Sequence, residues 1–96
     1  MSHRAKRKDA NQTAIVQTLR SIGASVEPLH FVGQGFPDIL VGFRGVNYLV
    51  EIKDGSKPPS KKKLTADEIK WHQRWAGQVA VIENNHDALV MLGGVD

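Results

Sequence analysis

Three charged side chains interrupt two apolar runs near the middle of this chain. Residues 35–55 read GFPDILVGFRGVNYLVEIKDG, with Asp38 before one run and Glu51 and Lys53 within the next. Charges inside strands are unfavourable unless they are paired or bound to a cation. Two carboxylates are the hard oxygen ligands that Mg²⁺ takes together with waters and phosphate. The pattern favours a metal site, and the alternative is a surface hairpin whose polar face is charged.

Lys53 adds a group suited to phosphate chemistry. Alternation along NYLVEIK places Glu51 and Lys53 on the same face of one predicted strand. A lysine at that position could hold or help deprotonate an attacking water, or stabilise a pentacovalent phosphate. Asp38, Glu51 and Lys53 together therefore predict metal binding, nucleophile control and charge stabilisation for phosphodiester cleavage.

The first half of the chain predicts a helix, an edge strand and a hairpin that would position these residues. The stretch DANQTAIVQTLRSIG has an amphipathic helical stripe, with Asp9 as a candidate N-cap and Gly23 as the stop. SVEPLHFV predicts an edge strand, because Pro28 cannot donate to a ladder. DILVGF and NYLVEIK predict an antiparallel hairpin turning at residues 44–46. That hairpin would bring Asp38 toward Glu51 at one end of the sheet.

The second half predicts a helix, a strand and a closing helix. Thr65 is a candidate N-cap and Glu68 completes a capping box. Trp71 and Trp75 lie one turn apart on this helix and are expected in the core or at a dimer interface. QVAVIE predicts a buried strand, and a short helix begins at Asn85. The predicted order is αβββαβα.

Composition limits the class of protein. The chain has 96 residues, of which 41% are hydrophobic and 24% charged, as expected for one globular domain. Without cysteine there are no disulfides and no thiolate-bound zinc or iron–sulfur cluster. No apolar run approaches the roughly 20 residues that span a bilayer. The first ten residues, MSHRAKRKDA, lack the apolar segment of a secretory signal. We therefore expect a cytoplasmic protein without a membrane partner.

Two basic segments predict contacts with phosphate backbones. The formal net charge is +3, and positive charge is concentrated near the N-terminus and in KPPSKKK, residues 57–63. The alternative for both segments is a solvated tail and a solvated loop. The loop from Asp54 to Leu64 is rich in Pro, Ser and Lys and is expected to be mobile. We expect residues 1–8 to be a basic arm and residues 9–96 a single domain. The predicted nucleic-acid-binding residues are Arg4, Lys6, Arg7, Lys8, Lys57, Lys61, Lys62 and Lys63.

The charged pattern resembles a known nuclease signature. PD at 37–38, twelve intervening residues and EIK at 51–53 resemble the PD-(D/E)xK pattern, on a hairpin that follows a helix. The stretches DANQTAIVQTLRSIGA, GFPDILVGFRGVNYLVEIKDGSKPPSKKKLT and WHQRWAGQVAVI are similar to stand-alone phage members of the VRR-NUC (virus-type replication-repair nuclease) family. The resemblance extends over nearly the whole chain.

The resemblance implies a fold, a cofactor and a substrate. The expected fold is α/β, a restriction-endonuclease-like αβββαβ(α) core with a mixed central sheet flanked by helices. Expected metal ligands for Mg²⁺ or Mn²⁺ are Asp38, Glu51 and the backbone carbonyl of Ile52, with Lys53 as the catalytic lysine. Gln73 matches a glutamine that follows the motif. Stand-alone members are similar to Holliday junction resolvases, which act as homodimers on branched DNA, so phage origin in a bacterial host is expected.

Position 12 departs from the family pattern. Stand-alone members commonly read DANE where this chain reads DANQ, so Gln12 occupies the place of a helix glutamate. The amide keeps an oxygen ligand but removes one negative charge, which should weaken metal binding. Natural tolerance, compensation by nearby Asp9 and inactivation are three explanations left open by the sequence. The alternative function is therefore a catalytically weakened or inactive nuclease-fold protein that binds branched DNA.

Overall fold

Three helices and four strands make up residues 10–93, the part of the chain that the computed structural model describes. The strands form one sheet in the order β1-β2-β3-β4, antiparallel from β1 to β3 and parallel between β3 and β4. This mixed α/β architecture is the predicted restriction-endonuclease-like fold. The elements are α1 (Gln12–Ser21), β1 (Ser25–Pro28), β2 (Ile39–Phe43), β3 (Val46–Ile52), α2 (Ala66–Arg74), β4 (Val79–Ile82) and α3 (Asn85–Met91), with a 3₁₀ turn at Pro59–Lys61.

The β2–β3 hairpin sets the register of the site. Arg44 and Gly45 turn the chain with φ of +51° and +79°, the backbone of a two-residue turn that matches strand twist. Ile39 is paired with Val50, and the pairing continues to Phe43 opposite Val46. The regular pairing ends at Ile39, and Asp38, the residue before it, lies beside the segment of β3 that contains Glu51.

Local sequence signals mark the end of α1 and the start of α2. Gly23, with φ of +95°, ends α1 as predicted. Thr65 and Glu68 form the predicted capping box at the start of α2. The predicted N-cap of α1 is wrong: that position is Asn11, and its side chain makes no capping hydrogen bond. Its amide instead contacts the strands, as described below.

The main core lies between one face of the sheet and helices α1 and α3. Side chains from all four strands alternate onto this face, and α1 packs against both α3 and β1. Burial of this apolar surface is the main favourable contribution to folding. The buried core residues are Ile15, Leu19, Ala24, Val26, Ile39, Val41, Val50, Ile52, Ile82, Ala88 and Leu92.

The opposite face of the sheet is less completely covered. Trp71 of α2 is buried, with its ring edge-on to Phe36 and stacked on Trp75 at 4.6 Å between centroids. The prediction that β4 is a buried strand is wrong, because β4 is an edge strand and Val81 is 46% exposed. Glu51 lies on this face, since Val50 and Ile52 point into the main core.

No helix within residues 10–93 is long and apolar enough to cross a membrane.

Candidate active site

Asp38 is fixed against the strand that carries Glu51. It follows buried Pro37, is 2% exposed and donates its backbone N–H to the carbonyl of Val50 at 2.9 Å. Its carboxylate oxygen Oδ2 accepts the N–H of Ile52 at 2.7 Å. Hydrogen bonds to a buried carboxylate stabilise its charged form and fix its orientation. The turn therefore presents an oriented carboxylate at the end of β2.

Glu51 is a fully buried carboxylate in a central strand. Its side chain has no exposed surface, and Oε2 lies 3.6 Å from the Nζ atom of Lys53. Burial of a carboxylate is costly unless a positive charge or hydrogen bonds accompany it. The hydrogen bonds of Asp38 with Val50 and Ile52, on either side of Glu51, bring the two acidic residues together at one end of the sheet.

Lys53 is held by a carboxylate that sequence reasoning assigned only to helix capping. Its Nζ donates to Oε1 of Glu68 at 2.7 Å, and Glu68 is 2% exposed. Its backbone N–H continues the sheet by donating to the carbonyl of Ile82 at 2.9 Å. The side chains of Glu51, Lys53 and Glu68 thus form a row with charges of alternating sign. Capping chemistry predicted where Glu68 lies in the helix, but not that its side chain reaches β3.

The start of α1 closes the other side of this end of the sheet. The Nδ2 group of Asn11 donates to the carbonyls of Lys53 at 3.0 Å and Glu83 at 2.8 Å. Gln12, the next residue, is 3% exposed, and its Oε1 atom has no hydrogen-bond partner among the described residues. A buried amide oxygen without a donor is an acceptor that a cation could satisfy.

The donor set fits a hard divalent cation. Asp38 and Glu51 supply carboxylate oxygens and Gln12 supplies a neutral amide oxygen, whereas Ile52 contributes a backbone carbonyl next to them in sequence. Mg²⁺ is bound in proteins through one or two carboxylates with waters completing the shell. Within residues 10–93 no group of three or more His, Cys, Asp or Glu side chains could hold a metal by itself. A cation held here would therefore depend on neutral oxygens and solvent in addition to the acidic pair.

Gln73 lies apart from these groups. It is exposed on the last turn of α2 and makes no side-chain hydrogen bond within the described part of the chain. Gln73 lies five positions after Glu68, which corresponds to about 140° of rotation around the helix beyond one full turn. The structure thus brings Asp38, Glu51, Lys53 and Glu68 together and leaves Gln73 on a different face.

The basic loop between β3 and α2 contains some regular structure. It includes a 3₁₀ turn, and Gly55 donates its N–H to the carbonyl of Glu83 at 3.1 Å. Lys62 forms an ion pair with Glu83 at 3.1 Å, which leaves Lys57, Lys61 and Lys63 exposed. The predicted DNA-binding residues Arg4, Lys6, Arg7 and Lys8 lie outside the described residues.

Asp54 shapes the start of this loop. Its carboxylate accepts hydrogen bonds from the hydroxyl of Ser56 at 2.7 Å and from the backbone N–H of Ser56 at 3.0 Å. These bonds, the hydroxyl bond first, and the nearby charge of Lys57 hold the pKa of Asp54 below its ordinary value of 3.8. The turn fixes the chain directly after Lys53.

Comparisons with known proteins add one structural relative. No protein-family model matches the chain, and no curated protein matches it either. A solved structure described as a VRR_NUC domain is similar to it, with a TM-score of 0.61 and 26% sequence identity. The similarity covers 83% of this chain and 89% of that chain.

The similarity includes almost the full length of both domains, so it concerns the whole fold rather than one motif. It agrees with the PD and EIK residues, which the fold places on adjoining strands at one end of the sheet. The similarity supports membership of the VRR-NUC family of nuclease domains.

Proposed function

We propose that this protein is a divalent-metal-dependent endonuclease that hydrolyses phosphodiester bonds in branched DNA. The observation that carries the proposal is that Asp38 is hydrogen-bonded to Val50 and Ile52, the two neighbours of Glu51, with the Lys53 ammonium 3.6 Å from the Glu51 carboxylate. Asp38, Glu51, the Ile52 carbonyl and Gln12 would hold Mg²⁺ or Mn²⁺. When bound, such an ion polarises a phosphoryl oxygen and lowers the pKa of a coordinated water.

The side chains of the protein supply positioning and charge. Asp38 is kept rigid by the Ile52 N–H, so its carboxylate needs no rearrangement when substrate arrives. Lys53 is fixed at the edge of the acidic pair, where its ammonium can orient the attacking water and stabilise negative charge on the phosphate. Gln73 stays a family-based prediction, since its position on α2 suggests a contact with DNA rather than with the reacting phosphate.

DNA contacts would come from the basic segments. Exposed Lys57, Lys61 and Lys63 follow the site in sequence and can neutralise phosphates on either side of the cut. Such contacts position DNA without selecting sequence. Arg4, Lys6, Arg7 and Lys8 would extend this surface, and Lys62 would join it after release from Glu83.

A homodimer would account for paired cuts in a four-way junction. One site makes one cut, so symmetric incision requires two sites related by a twofold axis. Apolar side chains of α2 and β4 offer a surface for a second copy: Ile69 is 44% exposed, Trp75 38% and Val81 46%. We expect Ile69→Lys to shift the protein toward monomer in analytical ultracentrifugation. Val90→Lys, on a similarly exposed residue of α3, is the control.

The second candidate function is junction binding with weak or absent cleavage. It is favoured by one observation, the neutral Gln12 amide where a family glutamate would add charge; its Oε1 atom has no hydrogen-bond partner among residues 10–93. Phage or prophage origin, and with it the cytoplasm of a bacterial host, belongs to either candidate.

Cleavage of an immobile four-way junction beside matched linear duplex, with Mg²⁺ and then Mn²⁺, separates the two. We expect paired nicks from the wild-type protein, none from Asp38→Ala, and wild-type cleavage from Asp67→Ala, in which an exposed carboxylate is removed instead. Cleavage that survives Asp38→Ala would contradict the endonuclease proposal. Junction binding with cleavage only after Gln12→Glu would establish the second candidate.

A further inference from the structure

Glu68 is a buried carboxylate beside the site that the PD and EIK pattern does not include. It is 2% exposed, and its Oε1 atom accepts the Lys53 ammonium at 2.7 Å and the Thr65 backbone N–H at 2.9 Å. Helix capping needs only an oxygen at this position, and glutamine supplies one equally well. The negative charge of Glu68 is therefore not explained by capping.

The negative charge of Glu68 changes the net charge around the acidic pair and Lys53. Lys53 lies 3.6 Å from Glu51, close enough for its positive charge to weaken the attraction of the acidic pair for a cation. Position 12, an acid in the family pattern, is neutral here and contributes no charge. Glu68 lies closer to Lys53 than Glu51 does, and its formal charge cancels that of the ammonium.

We propose that Glu68 is a positioning residue that holds Lys53 and offsets its charge, so that Asp38 and Glu51 can retain a divalent cation although residue 12 is an amide. The proposal deepens the proposed function and rests on it. In this proposal Glu68, rather than the nearby Asp9 that the sequence suggests, compensates for the negative charge that is missing at Gln12.

The contacts of Glu68 direct its carboxylate toward Lys53. Its side chain is bound back to Thr65 in the capping box, and the first turn of α2 packs directly on Gly35. The carboxylate is therefore kept at the ammonium end of the row. Its influence on the cation passes through Lys53 and through charge.

The test compares carboxylates that are neighbours in sequence. Glu68→Gln keeps the capping oxygen and removes the charge, whereas Asp67→Asn removes an equal charge from the exposed neighbour in the same helical turn. Calorimetry with Mn²⁺ alone, without DNA, measures metal affinity, and thermal unfolding reports on the fold. Residues that orient a metal site from outside its ligand shell typically change affinity by roughly 10- to 100-fold.

We expect Glu68→Gln to lose affinity for Mn²⁺ within that range, Asp67→Asn to stay within about twofold of the wild type, and Gln12→Glu to restore affinity in the Glu68→Gln background. Cleavage by Glu68→Gln should recover at high Mn²⁺ concentration, which a purely structural defect would not allow. Equal losses in the two single variants, or no Mn²⁺ binding by the wild type, would overturn the inference. Asp38-dependent Mn²⁺ binding that follows this pattern without junction cleavage would instead refute the proposed function and leave the inference standing.

Discussion

Replacement of Gly35 by alanine tests how closely the first turn of α2 packs against the turn before Asp38. Gly35 has φ of +82°, and a Cβ atom there would overlap the carbonyl oxygen of Asp67 and lie 2.9 Å from the amide nitrogen of Glu68. Gly45 has nearly the same φ, +79°, but a Cβ atom there would have no neighbour within 4 Å. The two glycines share a backbone conformation and differ in space, so Gly45→Ala is a matched control.

The expected free energies follow from these two differences. A left-handed backbone costs an alanine about 1–2 kcal/mol, so Gly45→Ala should reduce the free energy of unfolding by that amount. Gly35→Ala carries the same cost plus about 1–3 kcal/mol for overpacking against a helix backbone that cannot rotate away. The loss at Gly35 should therefore be about 2–5 kcal/mol, which a domain with about 5–15 kcal/mol of stability can survive.

Urea unfolding followed by circular dichroism measures both variants, with equal m-values as the check that the unfolded states are comparable. A gap of about 1 kcal/mol corresponds to roughly 4–8 °C in melting temperature for a domain of this size. Equal losses of unfolding free energy in Gly35→Ala and Gly45→Ala would refute the close approach of α2 to Gly35, since only the cost of the left-handed backbone would then be present. Since α2 carries Glu68, folded Gly35→Ala should also cut junction DNA more slowly than Gly45→Ala.

Substitutions at three further positions probe the caps and turns around the site. Thr65→Ala should lower the free energy of unfolding by about 1 kcal/mol in urea, because the hydroxyl that accepts the Glu68 N–H is lost; a neutral result would contradict the capping role. Ser56→Ala should raise the pKa of Asp54 toward 3.8 in a carbon-13 titration. The lowered pKa contributes stability above pH 3.8 that is lost as the pH falls through the folded value, so the variant should lose less stability on acidification. Asn11→Ala should cost about 1–3 kcal/mol and Asn11→Asp more, since a carboxylate would face two carbonyl oxygens; equal effects would argue against the two bonds.

Local sequence signals predicted most of the fold. The hairpin follows from two alternating runs separated by a turn that tolerates positive φ at Arg44 and Gly45. The capping box of Thr65 and Glu68 and the stop at Gly23 are likewise contained within four residues. Each of these features depends on contacts between neighbours in sequence, which a pattern can encode.

The errors concern contacts between distant parts of the chain. The N-cap of α1 was misplaced because the amide of Asn11 is used by carbonyls 42 and 72 residues away. The burial of β4 was overestimated because VAVI reads as a buried strand, while its place at the sheet edge depends on strand order. For the same reason the sequence predicts Glu68 as a capping residue but not as the partner of Lys53, because the local pattern TADE does not indicate a contact with β3.

The two bonds of Asn11 also bear on when the site comes into existence during folding. Asp38 and Glu51 belong to a local hairpin and can meet early, because short loops close at little entropic cost. The hydrogen bond from Asn11 to Glu83 joins residues 72 positions apart in sequence. It can therefore form only after β4 has docked beside β3. Lys53 likewise gains Glu68 only after α2 is placed. A chain that is still emerging or partly unfolded therefore contains the acidic pair without its lysine in position, and nuclease competence would arrive together with the completed fold.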